Sequence, residues 1–183
     1  MRIDRRLAVA VVVLVVTVAV VAAVRQRGSP GCRAAPAGSA VIDHVSDGDT
    51  VVLCDGATVR LVQIDTPEVF FTKECFGKQA SAETKRLLPP GTVVGLVADP
   101  ALDDVDGFGR LLRYVVRADG LDVNRRLVAD GAAAPYFYGG DRGMYADEML
   151  RDAEAARAAG KGLWGACPET DLNVREGVST GPP

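Results

Sequence analysis

Short β-branched segments separated by Asp-Gly turns constrain the fold of this chain more than any other feature. Three such segments cover residues 41–45, 50–54 and 58–64, with Asp47-Gly48 and Asp55-Gly56 in the gaps. Asp-Gly favours the tight turns that join neighbouring antiparallel strands. We therefore expect a three-stranded meander at the start of the folded body.

The pattern that follows adds two strands and three helices. Residues 92–98 and 110–117 are typical of strands, whereas residues 78–88, 122–130 and 145–159 have apolar side chains at helical spacing. This order suits a small closed barrel of the oligonucleotide/oligosaccharide-binding (OB) type. The expected fold class is α+β, mainly β: a five-stranded OB-fold barrel capped by three helices, preceded by an N-terminal hydrophobic segment.

An apolar run without charged residues covers residues 7–24, after three arginines. Its 18 residues reach the lower limit for crossing a bilayer, and they exceed the usual apolar core of a signal peptide. Residues 1–27 are therefore expected to be a signal peptide or a transmembrane signal anchor. Both alternatives place the body outside the cytoplasm of a bacterial cell, secreted or membrane-anchored.

Composition divides the remaining chain. Residues 28–40 are rich in Gly, Pro, Ala and Ser and are expected to form a linker, residues 41–167 the folded domain, and residues 168–183 a flexible polar tail. The 183-residue length leaves room for one domain with appendages.

If the body is exported, its four cysteines are expected to form disulfides, because an oxidising environment favours these bonds. Cys32, Cys54, Cys75 and Cys167 allow three full pairings. Zinc is a poor alternative, since the cysteines are far apart in the chain and His44 is the single histidine.

Three short segments hold the candidate functional residues: 47–50, 60–68 and 106–110. Asp49 and Asp65, with a backbone carbonyl, form an oxygen-only set suited to calcium or magnesium. Glu68 could act as a general base on water. Arg60 and Arg110 offer planar charged groups that match phosphate oxygens.

These segments, at this spacing, resemble the signature motifs of the staphylococcal nuclease (thermonuclease) family. The similarity lies in Asp47-Gly48-Asp49-Thr50, in Arg60 followed by Asp65-Thr66-Pro67-Glu68, and in Gly109-Arg110. It extends to the segments 75–80 and 162–164, so it covers about residues 41–164.

The resemblance implies calcium bound by Asp49, Asp65 and the Thr66 carbonyl, with Asp47 as an outer carboxylate. It implies that Glu68 activates water while Arg60 and Arg110 hold the scissile phosphate, and that DNA and RNA are cut to leave 3′-phosphate ends. The resemblance also implies that three aromatic residues bind the nucleotide, although their segments match the family less closely. They are Phe108, where the family commonly has Tyr, and Tyr136 and Tyr138.

A fold like that of the family would bring Cys75 and Cys167 together near the last helix, which leaves Cys32 to pair with Cys54. The sequence therefore predicts a monomeric, calcium-dependent, sugar-nonspecific nuclease that favours single-stranded DNA or RNA, with membrane contact if the N-terminal segment is uncleaved. The alternative is a non-catalytic OB-fold module that binds nucleic acid or a protein, and the complete set of Arg60, Glu68 and Arg110 argues against it.

The charge balance bears on substrate binding. The chain has a formal net charge of -3, and residues 1–27 hold five of its arginines and one aspartate, so the exported body is more acidic still. Weak electrostatic steering of polyanions and metal-dependent binding are the expected consequences.

Overall fold

Five strands close into a barrel in the computed structural model, which describes residues 31–70 and 73–183. The strands are β1 (Ala40–Val45), β2 (Thr50–Leu53), β3 (Thr58–Leu61), β5 (Val93–Val97) and β6 (Leu111–Arg117). Their order around the barrel is β1-β2-β3-β6-β5, and β5 pairs back with β1. The β3–β6 pair is parallel and the others are antiparallel. The predicted OB-type barrel is confirmed.

The apolar run at residues 7–24 lies outside the described residues. Within the described part of the chain, no helix has the length and hydrophobicity needed to cross a membrane.

Three helices cap the barrel, as the sequence predicts: α1 (Gly77–Leu87), α2 (Val123–Ala129) and α3 (Ala146–Ala158). A fourth, single-turn helix, α4 (Leu163–Ala166), follows them. Helix α2 begins after Asp122, whose side chain accepts a hydrogen bond from Arg125 N, as an N-cap does. It ends before Gly131, whose φ of 69° and contact with the Lys161 carbonyl require glycine.

Apolar side chains from all five strands fill the barrel, where Ile42, Val51, Val59, Val94 and Val115 are buried. Asn124 of α2 is also fully buried. Its amide accepts a hydrogen bond from Val115 N and donates to the carbonyls of Val62 and Arg113. A buried amide with these partners holds α2 against the parallel β3–β6 junction.

The third strand is shorter than predicted, which changes the geometry next to the site. A continuous strand over residues 58–64 would place Arg60 and Asp65 on opposite faces. Instead, β3 ends at Leu61, Gln63 adopts a left-handed φ of 64°, and a separate strand β4 (Ile64–Asp65) pairs with β7 (Ala134–Pro135). Arg60 and Asp65 therefore meet, instead of lying on opposite faces of one strand.

Gln63 is held in this conformation by its own side chain. Its Nε2 donates to the Asp141 carbonyl and its Oε1 accepts from Gly143 N. A non-glycine residue at positive φ persists where its surroundings hold it in place. Partners about 80 residues away in the chain thus determine where β3 ends.

The last segment also differs from the expected flexible tail. Residues 171–179 form a hairpin of β8 (Asp171–Asn173) and β9 (Gly177–Ser179). Val178 of this hairpin is buried against Ala134 and Leu163. This apolar contact holds the segment against the body, although most of its residues are polar.

Two disulfides, Cys32–Cys54 and Cys75–Cys167, are present. The predicted pairing is confirmed. The first joins the segment before β1 to the end of β2, and the second joins the start of α1 to the end of α4.

Candidate active site

One cleft of about 670 Å³ on the barrel brings together all the predicted site residues. Its lining includes every side chain to which the sequence pattern assigned catalysis, metal binding or nucleotide binding, namely Asp49, Arg60, Asp65, Thr66, Glu68, Phe108, Arg110, Tyr136 and Tyr138. Five different stretches of chain therefore converge, counting the C-terminal hairpin, which contributes Glu176 and Val178.

Asp49 lies at the turn between β1 and β2 and is 7% exposed. Its Oδ2 accepts hydrogen bonds from the backbone N and from Oγ1 of Thr66, at 3.1 and 2.9 Å. A Cβ at Gly48 would collide with the Thr66 side chain, so glycine is required for this approach. The Gly48 carbonyl accepts a hydrogen bond from Thr84 Oγ1 of α1, which ties the turn to the helix.

Arg60 on β3 lies between the two candidate metal-binding carboxylates. Its Nη1 is 3.1 Å from Asp49 Oδ2, and its Nη2 donates to Asp65 Oδ1 at 3.0 Å. Nη1 also donates to the Leu61 and Ile64 carbonyls, across the bend that follows β3. These hydrogen bonds fix the guanidinium and the bend relative to each other. The Arg60 side chain is largely buried, with 13% of its surface exposed.

Asp65 shows how burial acts on the acidic cluster. Burial raises its pKa to about 6, with Arg60 acting against the rise and Asp49 adding to it. Its Oδ2 accepts a hydrogen bond from Val178 N in β9. A nearby cation would stabilise the ionised form of such a buried carboxylate, which lies among other carboxylates.

Glu68 lies at the exposed end of the segment after β4. Burial first, and then the charges of Asp49 and Asp65, raise its pKa above the ordinary value. Its backbone N donates to Glu74 Oε2, and its carbonyl accepts from Glu74 N. A Cβ at Gly77 would clash with the Glu68 carbonyl, so the start of α1 supports this segment. A raised carboxyl pKa strengthens a general base.

Asp47 shares the electrostatic environment of this cluster. Its pKa is raised by burial and then by the charge of Asp49. Its Oδ1 accepts a hydrogen bond from Asp49 N, so it also shapes the turn that presents Asp49.

Arg110 approaches the cleft from the loop before β6. Its Nε donates to Asp106 Oδ2 at 2.7 Å, and its backbone N donates to Asp106 Oδ1. The pKa of Asp106 is lowered, because hydrogen bonds from Arg110 and Phe108 outweigh the effect of burial. Asp106 therefore orients the arginine, and the guanidinium lies 5.4 Å from the centre of the Phe108 ring.

Three aromatic rings line the cleft. Phe108 is 88% exposed and Tyr138 is 76% exposed. The rings of Tyr136 and Tyr138 meet edge to face, with centroids 6.3 Å apart. Large exposed rings in a cleft that also holds Arg60 and Arg110 are suited to stacking on unpaired bases.

The donor chemistry fits a hard divalent cation. Asp49, Asp65 and the Thr66 carbonyl supply oxygen atoms, and both carboxylates are oriented by hydrogen bonds from neighbouring groups. Burial raises the pKa of Asp65 and thereby adds a reason for a cation to bind.

Four residues at the site were missed as functional candidates. Gln63 shapes the bend, Glu74 holds the Glu68 backbone, Asp106 orients Arg110, and Val178 binds Asp65. Asp106 had a usable signal, because its position four residues before Arg110 in an Asp-Gly turn suggests a local ion pair. Gln63 and Val178 depend on contacts between distant segments, whereas Glu74 contacts Glu68 six residues before it.

The fold and the cleft define a class: an OB-fold protein with an acidic, arginine-containing cleft on its barrel. A family model described as "Staphylococcal nuclease homologue" matches residues 58–166. The chain therefore belongs to the staphylococcal nuclease homologue family.

Individual relatives agree with this family. The chain is 33% identical to "Endonuclease YhcR" of Bacillus subtilis over 137 residues, which is 68% of this chain and 11% of that protein. It is 35% identical over 96 residues to an "Uncharacterized endonuclease" of Escherichia coli O157:H7, covering 51% of this chain and 58% of the relative. "Succinoglycan biosynthesis protein ExoI" of Rhizobium meliloti is 29% identical over 136 residues, 73% of this chain and 68% of the relative.

The shared region is thus a small part of YhcR and somewhat more than half of the Escherichia coli protein.

Proposed function

We propose that this protein is a calcium-dependent, sugar-nonspecific nuclease that hydrolyses phosphodiester bonds of DNA and RNA. The observation that supports this best is the meeting of Arg60, Glu68 and Arg110 in one cleft with Asp49, Asp65 and Thr66. Family membership and relatives named endonucleases support the same reaction class.

The proposed roles follow from charge and position. Glu68, with its raised pKa, accepts a proton from the attacking water. Arg60 enters the cleft from β3 and Arg110 from the loop before β6, and together they neutralise the charge that develops on the phosphate. Attack that expels the 5′ oxygen leaves a 3′-phosphate end, as the resemblance to the family implies.

A divalent cation is needed for electrostatic reasons. Among the described residues that line the cleft, carboxylates outnumber arginines, and they are Asp47, Asp49, Asp65, Glu68, Glu74, Asp103, Asp106, Asp141 and Glu176. Such a surface repels a polyanion. Calcium held by Asp49, Asp65 and Thr66 would offset this charge and polarise a phosphoryl oxygen.

The aromatic side chains support a preference for single strands. Phe108, Tyr136 and Tyr138 would stack on bases that are not paired with a second strand. The protein is proposed to act as a monomer.

An extracytoplasmic location, secreted or membrane-anchored, is proposed with this activity. Two disulfides in the described residues support it, because such bonds persist in oxidising compartments.

Glu68→Gln tests the assignment, with Asp103→Asn as the matched control. Both changes remove one negative charge from the same cleft, and Asp103 is exposed. We expect wild type and Asp103→Asn to cut single-stranded DNA with calcium and to stop with chelator, whereas Glu68→Gln loses about 10²–10⁴-fold in kcat. Absence of cleavage by wild type with any divalent cation would leave a binding module as the better account.

A further inference from the structure

The C-terminal hairpin, residues 171–179, lies beyond the segment that the family model matches, yet it reaches the candidate metal ligands. We propose that this hairpin is a positioning element of the active site, which orients the Asp65 carboxylate for calcium binding. The proposal rests on the proposed function, because it assigns the hairpin a role at the same cation site.

The first contact is a hydrogen bond from the hairpin backbone. Val178 N donates to Asp65 Oδ2 at 3.0 Å, while Arg60 Nη2 donates to Oδ1 of the same carboxylate at 3.0 Å. Each oxygen therefore has a donor from a different part of the chain. Donors of this kind hold a ligating carboxylate in one orientation.

The second contact is steric. A Cβ at Gly177 would lie 2.5 Å from Asp65 Oδ2, and Gly177 has a φ of 108°. Glycine alone combines this backbone conformation with so close an approach. The colliding atom would be the end of the Asp65 side chain, so a larger residue here displaces the carboxylate.

The hairpin is fastened to the body on three sides, so the donor does not drift from the site. Val178 is buried with Ala134 and Leu163. The Val174 carbonyl accepts a hydrogen bond from Phe137 N. Thr180 Oγ1 donates to the Cys75 carbonyl at 2.7 Å, and Cys75 N donates to the Gly181 carbonyl at 2.9 Å.

The orientation of the Val178 N–H also indicates a role beyond hairpin stability. In an antiparallel pair, alternate residues direct their backbone groups toward the partner strand or away from it. Val178 directs its N–H to Asp65 and therefore away from β8. Removing the Val178 N–H therefore takes a donor from the Asp65 carboxylate. It does not remove a hydrogen bond between β8 and β9.

Gly177→Ala and Val178→Pro test the proposal, with Gly56→Ala as the control. Gly56 has a similar φ of 90°, but nothing lies within 4 Å of its Cβ position. Both alanine substitutions therefore place a Cβ at a positive φ, and at Gly177 that Cβ also meets Asp65. Val178→Pro removes the N–H while it keeps an apolar side chain.

The measurement is calcium affinity by isothermal titration calorimetry, on the full chain without nucleic acid. We expect about 10–100-fold weaker binding for both hairpin variants and wild-type affinity for Gly56→Ala. Thermal midpoints in chelator should fall similarly for the two Gly→Ala variants. Cleavage by Gly177→Ala should recover at saturating calcium, which a general loss of structure would not allow.

Wild-type calcium affinity in both hairpin variants would overturn the proposal, as would a wild-type protein that binds no calcium. Failure of the proposed function has a different signature, which is a wild-type protein that binds calcium but does not cut DNA or RNA. In that case the affinities of the variants still decide whether the hairpin positions Asp65.

Discussion

Arg60 Nη2 donates to Asp65 Oδ1 at 3.0 Å, across a bend that brings two side chains of nominally opposite faces together. The guanidinium also lies beside Asp49, so it balances both candidate calcium ligands in this arrangement. Arg60 therefore has a structural part as well as its proposed role at the phosphate.

The two site arginines should differ in their effect on stability. Arg60→Gln leaves Asp49 and Asp65 without their guanidinium partner, and we expect the free energy of unfolding to fall by about 3 kcal/mol. Arg110 is 30% exposed, and its one ion pair within residues 31–70 and 73–183 is with Asp106, so Arg110→Gln should cost less than about 1 kcal/mol. Both variants should lose cleavage. Urea denaturation in chelator measures the difference, and equal destabilisation would contradict it.

Asp65 should make the metal-free protein less stable as the pH rises. Burial raises its pKa from 3.8 to about 6, so the folded state binds this proton more tightly than the unfolded state does. The Asp65 contribution to the free energy of unfolding is therefore largest below about pH 4 and declines as the pH rises to about 6.

Asp65→Asn removes this pH-dependent cost and, with it, a calcium ligand. At pH 8 in chelator, we expect the variant to be more stable than wild type by about 2 kcal/mol, and at pH 4, where wild type is protonated, we expect no gain. Thermal unfolding at the two pH values checks this, and the same gain at both would show that the charge is not the cause. Calcium should stabilise wild type but not the variant.

Tyr138 and Phe137 are adjacent, but truncating them should affect different properties: DNA binding for Tyr138 and stability for Phe137. Tyr138 is 76% exposed in the cleft, whereas Phe137 is 2% exposed. Tyr138→Ala should weaken binding of single-stranded DNA by about 1–3 kcal/mol through lost stacking, with little change in stability. Phe137→Ala should instead lower the free energy of unfolding by about 3–5 kcal/mol. Fluorescence anisotropy with calcium-bound Glu68→Gln as background, together with urea denaturation, separates the two effects.

The two disulfides should contribute unequally to stability. Cys75–Cys167 spans 92 residues and Cys32–Cys54 spans 22. In the chain-entropy model, replacing both cysteines by serine costs about 4–5 kcal/mol for the longer loop and about 3 kcal/mol for the shorter. The Cys75–Cys167 variant should also speed amide exchange at Val178, because Cys75 is hydrogen-bonded to Thr180 and Gly181, which directly follow the hairpin. Unchanged exchange there would mean that the hairpin is held without this bond.

Much of the barrel could be predicted because its signals are local. Asp-Gly turns, β-branched runs and Gly131 after α2 act within a few residues, and the strand and helix boundaries lie close to the expected positions. The candidate site residues were predictable too, because aspartate, glutamate and arginine at the ends of strands converge on one cleft in a closed barrel.

Long-range contacts decided the remaining features. The left-handed Gln63 depends on Asp141 and Gly143, and the hairpin depends on burial of Val178 and on its bond to Asp65. Neither has a periodic pattern in the sequence, because the stabilising partner lies about 80 to 113 residues away. Residue types near one another in the chain thus determined the barrel and its cleft. The orientation of Asp65 depended on groups that only folding brings together.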